Sequence, residues 1–158
     1  MATDTHIKFD GVEGEATHKD HKGQIEVLSW NWTASNAAHT SGGGSGRGKA
    51  EPGEFHFAHL YDKASPTLAK QCAAGKHFPK VELKSRKAGE GQKDFLTITL
   101  KEVFITSIAP SGGKGGDIVE SVSMSYKDIE FDYKPQDDKG GLGGSVKFGW
   151  NVATTETR

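Results

Sequence analysis

Hydrophobic and polar residues alternate along much of this chain, most cleanly near its end, where Val146, Phe148, Trp150 and Val152 interleave with Ser145, Lys147, Gly149 and Asn151. A period of two sends the two sets to opposite faces, so this segment predicts a half-buried β-strand. Val81 and Leu83 interleave in the same way with Lys80, Glu82, Lys84 and Arg86, which predicts a second strand with a strongly charged face turned to solvent or a polar neighbour. Further upstream Trp30 and Trp32 sit two apart. In a strand both indoles then share a side with Leu28, while Ser29 and Asn31 face the other way. One side reads as core and the other as a polar wall.

Two apolar segments, 96–108 and 119–133, are longer than an average uninterrupted strand. In the second, Val122, Met124 and Tyr126 share one parity while Ile129, Phe131 and Tyr133 share the other, so the buried face changes near Lys127 and Asp128. A bulge, or a corner where the chain passes from one sheet to another, produces such a change. One helix is predicted. Ser65 is its cap, Pro66 its first residue, Leu68 and Cys72 lie one turn apart, and Gly75 ends it in a left-handed conformation after about nine residues. The expected fold is mainly β, a two-sheet β-barrel with one short α-helix plugging an end or flank. At 158 residues it fits a single domain spanning 1–158.

Composition sharpens this picture. The hydrophobic fraction is 34% and there are 21 glycines, which together imply a modest core joined by many turns and favour association between copies. Glycine-rich stretches at 41–48, 112–116 and 140–144 read as loops, and the first belongs to a long excursion over roughly residues 34–53. A net charge of −1 provides no overall field to gather nucleic acid or anionic lipid. Cys72 is the sole cysteine, so no intrachain disulfide forms, and it reads as a small buried apolar residue. Residues 1–10 lack a basic start followed by an apolar run, and nowhere do 18 apolar residues run together. Neither a cleavable signal nor a membrane insertion is expected.

Candidate chemistry is sparse. Gly43, Gly48 and Lys49 approach a phosphate-binding loop, but Ala50 stands where a hydroxyl would hold magnesium, and Glu51, Pro52 and Gly53 follow in place of a helix. Among seven histidines, His56 and His59 are three apart in a predicted strand and face opposite ways. His18 and His21 lie in a predicted turn with no cysteine or carboxylate completing a ligand set, so His21 reads as a structural or hydrogen-bonding group. The carboxylates are scattered over charged faces and turns, which reads as a solvated surface without an acid–base pair. No catalytic residue, cofactor or metal site is expected, and the chain is read as a non-enzyme.

Residues 12–32 (VEGEATHKDHKGQIEVLSWNW), FHFAHLYDKASPTL at 55–68, the segment around Cys72 and GSVKFGWNV at 144–152 together resemble the Hcp family, the tube proteins of the bacterial type VI secretion system. The likeness covers nearly the whole chain, with its motifs in order. It implies a homo-hexameric ring whose copies stack into a tube, and a contractile sheath and spike protein as partners. It also implies export from the bacterial cytoplasm without a cleaved signal, with effectors carried in the lumen. In such a ring the residue between the paired tryptophans looks into the channel. Asn31, with Ser29 on the same face, is therefore the expected lumen contact. Ser41, Gly42, Gly43, Gly44, Ser45, Gly46, Arg47 and Gly48 would form the loop that packs on neighbouring subunits or rings. The competing reading is a monomeric β-barrel binding or adaptor module; a hydrolase is a further rival.

Overall fold

The computed structural model describes residues 2–36, 50–88, 93–137, 139 and 141–158. In chain order these form β1 (Thr3–Phe9), β2 (Ile25–Glu26), β3 (Ser29–Asn36), β4 (Ala50–Leu60) and α1 (Ala64–Ala74). Next come β5 (Phe78–Lys87), β6 (Asp94–Ser111), β7 (Val119–Ser125), β8 (Asp128–Tyr133), β9 (Val146–Asn151) and β10 (Glu156–Thr157). The loop residues 41–48, and with them most of the near phosphate-binding motif, lie outside the described residues. Directly after the motif the chain enters strand β4, so no helix N-terminus exists there to cradle a phosphate.

All ladders are antiparallel. One layer, sheet A, runs β10-β9-β8-β6-β5-β1-β2, and the other, sheet B, runs β3-β4-β7-β6. Strand β6 belongs to both. Its first part pairs with β5 and β8, its second with β7, and between them Glu102 adopts φ 52°. A left-handed residue other than glycine is unusual, and here it turns the 18-residue strand from one layer into the next. The change of parity near Lys127 is the same corner seen from the neighbouring strand. Strand β7 ends at Ser125 in sheet B, β8 starts at Asp128 in sheet A, and Lys127 N–H bonds to the Lys101 carbonyl across the bend.

The two layers curl around one apolar core. Ile7, Phe9, Ile25, Phe55, Phe57, Val81, Leu83, Ile98, Leu100, Val122, Met124 and Ile129 are all buried in it. At the open side of the curl the β2–β3 link bridges both layers. Val27 N–H bonds to Thr5 of β1, and Leu28 N–H to Ala58 of β4. This seam rests on single backbone bonds and the two-residue β2, in contrast to the full ladders elsewhere.

Helix α1 packs Ala64, Ser65 and Leu68 into the core beside β6. It begins earlier than its sequence suggests. Asp62, in place of Ser65, supplies the capping oxygen, accepting from Ala64 N–H at 2.9 Å, while Ser65 Oγ accepts the Asp62 N–H. At the other end Gly75, at φ 66°, closes a Schellman motif, with Gly75 N–H to the Cys72 carbonyl and Lys76 N–H to that of Gln71. Cys72 is only half-buried against the core, because it sits on the flank of the helix rather than under it.

Two further expectations need correcting, and a third is met in two ways. Leu28 does not join the tryptophans. It precedes the first residue of β3 and is 57% exposed, while Trp30 and Trp32 are half-buried and pack on the core. The charged face of β5 meets both surroundings expected for it, solvent and a polar neighbour. Lys80 and Lys84 flank Glu82 at the surface, but Arg86 is buried beneath residues 12–24. Finally, not every carboxylate is solvated: Glu120 is buried in the core and bonds to the equally buried His59 at 2.8 Å. Burial raises the Asp62 carboxyl beside this pair, an effect that the nearby His59 imidazole opposes.

Candidate functional site

Sheet B turns its apolar residues inward and presents its other face to solvent. Two cross-strand rows run over that face. Asn31 pairs with His56, His56 with Ser123, and Ser123 with Ser107; beside it Ser29 pairs with Ala58, Ala58 with Ser121, and Ser121 with Ala109. Every side chain in these rows other than His56 is small and without an ionisable group, and none is fully buried. Ser29 and Asn31, the expected lumen pair, are both exposed on it. Their neighbours across the sheet are not singled out by the sequence reading. A signal is present in the run of serines Ser121, Ser123 and Ser125 alternating with Val122 and Met124.

The wall is held from behind by aromatic packing. Trp30 stacks on Phe55 with centroids 5.8 Å apart, and Trp32 leans on Phe131 of β8 at 5.0 Å. Trp32 Nε1 donates to the Tyr126 hydroxyl, which donates in turn to the Gly53 carbonyl at 2.7 Å. This relay joins β3, β4 and the β7–β8 corner, so the strand that carries Asn31 is fixed in place. Tyr126 titrates above its ordinary value because of burial, and stays a neutral donor.

One contact on the wall has the composition of a catalytic dyad, since His56 Nδ1 lies 2.7 Å from Ser123 Oγ. A nucleophile also needs donors for the oxyanion. Ser123 lies in the middle of β7, flanked by β4 and β6, where the backbone is engaged in ladders. The pair therefore reads as a cross-strand hydrogen bond that keeps the wall flat. Among the described residues no group of three His, Cys, Asp or Glu side chains has the geometry to hold a metal ion, and no helix is long and apolar enough to cross a membrane.

At one rim the wall becomes apolar. Leu28, Leu60, Tyr61, Ile118 and Val119 are exposed there, between 36% and 57%, and the first three line a cleft of about 240 Å³ edged by Glu15, Glu26 and Asp62. A second exposed apolar group, Tyr133, Val146 and Phe148, lies on β8 and β9.

The chain has counterparts among known proteins. The family model described as type VI secretion system effector, Hcp, matches residues 6–133. The chain belongs to the Hcp family of type VI secretion tube proteins. Protein hcp1 of Pseudomonas aeruginosa is 41% identical over 157 residues, covering 96% of each chain. A solved type six secretion system protein superimposes with a TM-score of 0.93 at 33% identity, covering 99% of this chain and 100% of that one. Hcp1 from Salmonella typhimurium gives a TM-score of 0.83 at 33% identity with both chains fully covered. The Hcp match begins at His6 and ends at Tyr133, so it contains the whole polar wall and its tryptophan backing.

Proposed function

We propose that copies of this Hcp chain join head to tail into a hexameric ring, that sheet B lines the bore, and that rings stack into the tube expelled by a contractile sheath behind a spike protein. The observation that carries this is the pair of cross-strand rows on sheet B that hold no Asp, Glu, Lys or Arg. A conduit wall must stay hydrated yet hold nothing tightly, and rows of Ser, Ala and Asn meet both demands because they provide few apolar anchors and no fixed charge. The ladders support closure of the ring. Strand β3 pairs only with β4 and the second half of β6 pairs only with β7, so among the described residues sheet B has an open edge at each margin. Different surfaces meeting in sequence around an axis give a closed ring when the rotation matches. The apolar rim around Leu28 and Leu60 suits stacking of one ring on the next.

Effectors carried in the bore would contact Ser29 and Asn31, and a small toxin held there would be shielded during export. Its affinity would be modest for the reason that makes the wall a good conduit. Light scattering after gel filtration is expected to report six subunits; a single-subunit mass at all concentrations would favour the monomeric binding-module reading instead. Asn31→Arg changes a side chain on the wall face and leaves the backbone edge of β3 intact, so that mass should not change. Co-expressed effector should then accumulate several-fold less. Unchanged effector levels with intact rings would remove Asn31 from the lumen.

A further inference from the structure

Residues 12–24 cross the outer face of sheet A, and three imidazoles meet beneath them. His6 projects from β1 on the side opposite Ile7 and Phe9, away from the core, yet it is only 3% exposed because this strap covers it. The strap's His21 stacks on His6 with centroids 4.7 Å apart and planes 11° from parallel. His18 stands 5.7 Å from His6 and 5.6 Å from His21. The strap holds its own shape through Gly14 N–H to the Gly23 carbonyl, Ala16 N–H to that of Gln24 and Gly23 N–H to that of Ala16.

The hydrogen bonds of Arg86 determine the protonation state of His21. Arg86 Nη1 donates to Asp20 Oδ2 and its Nε to Asp94 Oδ1, both at 2.9 Å, and Nη2 lies 3.0 Å from His21 Nε2. A guanidinium has donors only, so His21 Nε2 must accept and carries no proton. The ring's proton is then on Nδ1, which donates to Gln24 Oε1 at 3.1 Å. Asp94 Oδ1 also lies 3.3 Å from His21 Nε2, a contact that becomes a hydrogen bond only when that nitrogen is protonated. The same nitrogen cannot satisfy both. Once protonated it turns toward Asp94 and sets a cation against Arg86.

We propose that this cluster is an acid-sensitive clip: proton uptake by the stacked imidazoles lifts residues 12–24 from sheet A and loosens the barrel seam at residues 25–28 that the strap leads into. His6 Nδ1 is buried with no partner among the described residues, so nothing there welcomes a charge. Burial first, then repulsion from the neighbouring His21 and His18 rings, holds the His6 imidazole down at about 4. The groups facing the cluster are Asp4 on β1, Glu26 on β2, Lys84 and Arg86 on β5, Asp94 on β6 and Asp20 in the strap. With all three rings charged, five cations face these four carboxylates. A histidine whose folded value is depressed adds stability above its unfolded value near 6.5, and that stability disappears as pH falls toward 4.

Hydrogen exchange of the full chain tests this at pH 7, 5.5 and 4, with rates corrected for intrinsic exchange. Protection at Ala16, Gly23 and Gln24 should drop on the order of a hundredfold across that range, while the β6–β7 ladder stays protected. His6→Phe keeps a flat ring under the strap without the titrating group at position 6, and should clearly reduce the loss of strap protection with falling pH. Strap protection that is flat in the parent chain, or pH dependence undiminished in His6→Phe, overturns the clip. If that variant fails to fold, side-chain NMR of the parent decides the matter: His6 must take up its proton together with strap opening, and a His6 that stays neutral through the opening refutes the proposal.

Discussion

His59→Leu is expected to cost about 3–5 kcal/mol of folding stability, because it leaves the Glu120 carboxylate in the core without its partner. His59 and Glu120 are 0% and 1% exposed, and their 2.8 Å bond ties the end of β4 to the start of β7. With the imidazole removed, Glu120 must either take a proton or draw water into the core. Replacing both residues, as His59→Leu with Glu120→Leu, removes the unpaired charge, and should recover most of the loss since apolar pairs of similar volume are often neutral or better. Urea unfolding at one fixed protomer concentration gives the comparison, with an unchanged slope as the check on two-state behaviour. A single-variant loss below about 1 kcal/mol would mean that the pair is hydrated in solution.

Trp32→Ala should cost about 3 kcal/mol, since it opens a cavity between layers as well as breaking the relay to Gly53. The indole is the piece of sheet B that touches the β8–β9 flank, through Phe131 at 5.0 Å and Phe148 at 6.4 Å. Trp32→Phe isolates the polar part. The ring still packs, and the Tyr126 hydroxyl loses one donor while keeping its bond to the Gly53 carbonyl, for an expected cost of about 1 kcal/mol. The same urea series measures both. Equal losses for the two variants would show that the hydrogen bond, and not the packing, holds the flank.

Much of the architecture is legible in the chain itself, because half-buried strands record their faces as alternation. The swap of parity at Lys127 marks the turn from sheet B into sheet A, and Gly75 marks the helix end. The wall is legible through Ser29 and Asn31 but not across its width, since the strands that complete it lie far away in sequence and register comes only from pairing. Leu28 is misplaced by the pattern because alternation alone does not say where a strand starts. The buried pair escapes the sequence reading although its phase announces it. His59 alternates in step with Phe55 and Phe57, and Glu120 with Val122 and Met124, so each ionisable group sits on an apolar face. The cap at Asp62 is hidden by the stronger local pattern of Ser65 before Pro66. Arg86 has no local signal for burial at all, since what covers it is a non-strand segment 65 or more positions away.

Strand β6 gives the molecule a mechanical property that packing alone would not. Sheets A and B share one uninterrupted strand, bent at Glu102, in addition to their contacts across the core. A push along the tube that displaces one layer must therefore twist backbone torsions at that hinge, because the layers cannot slip past each other as two greased plates would. For a projectile loaded end-on, the shared spine turns shear into bending of covalent chain.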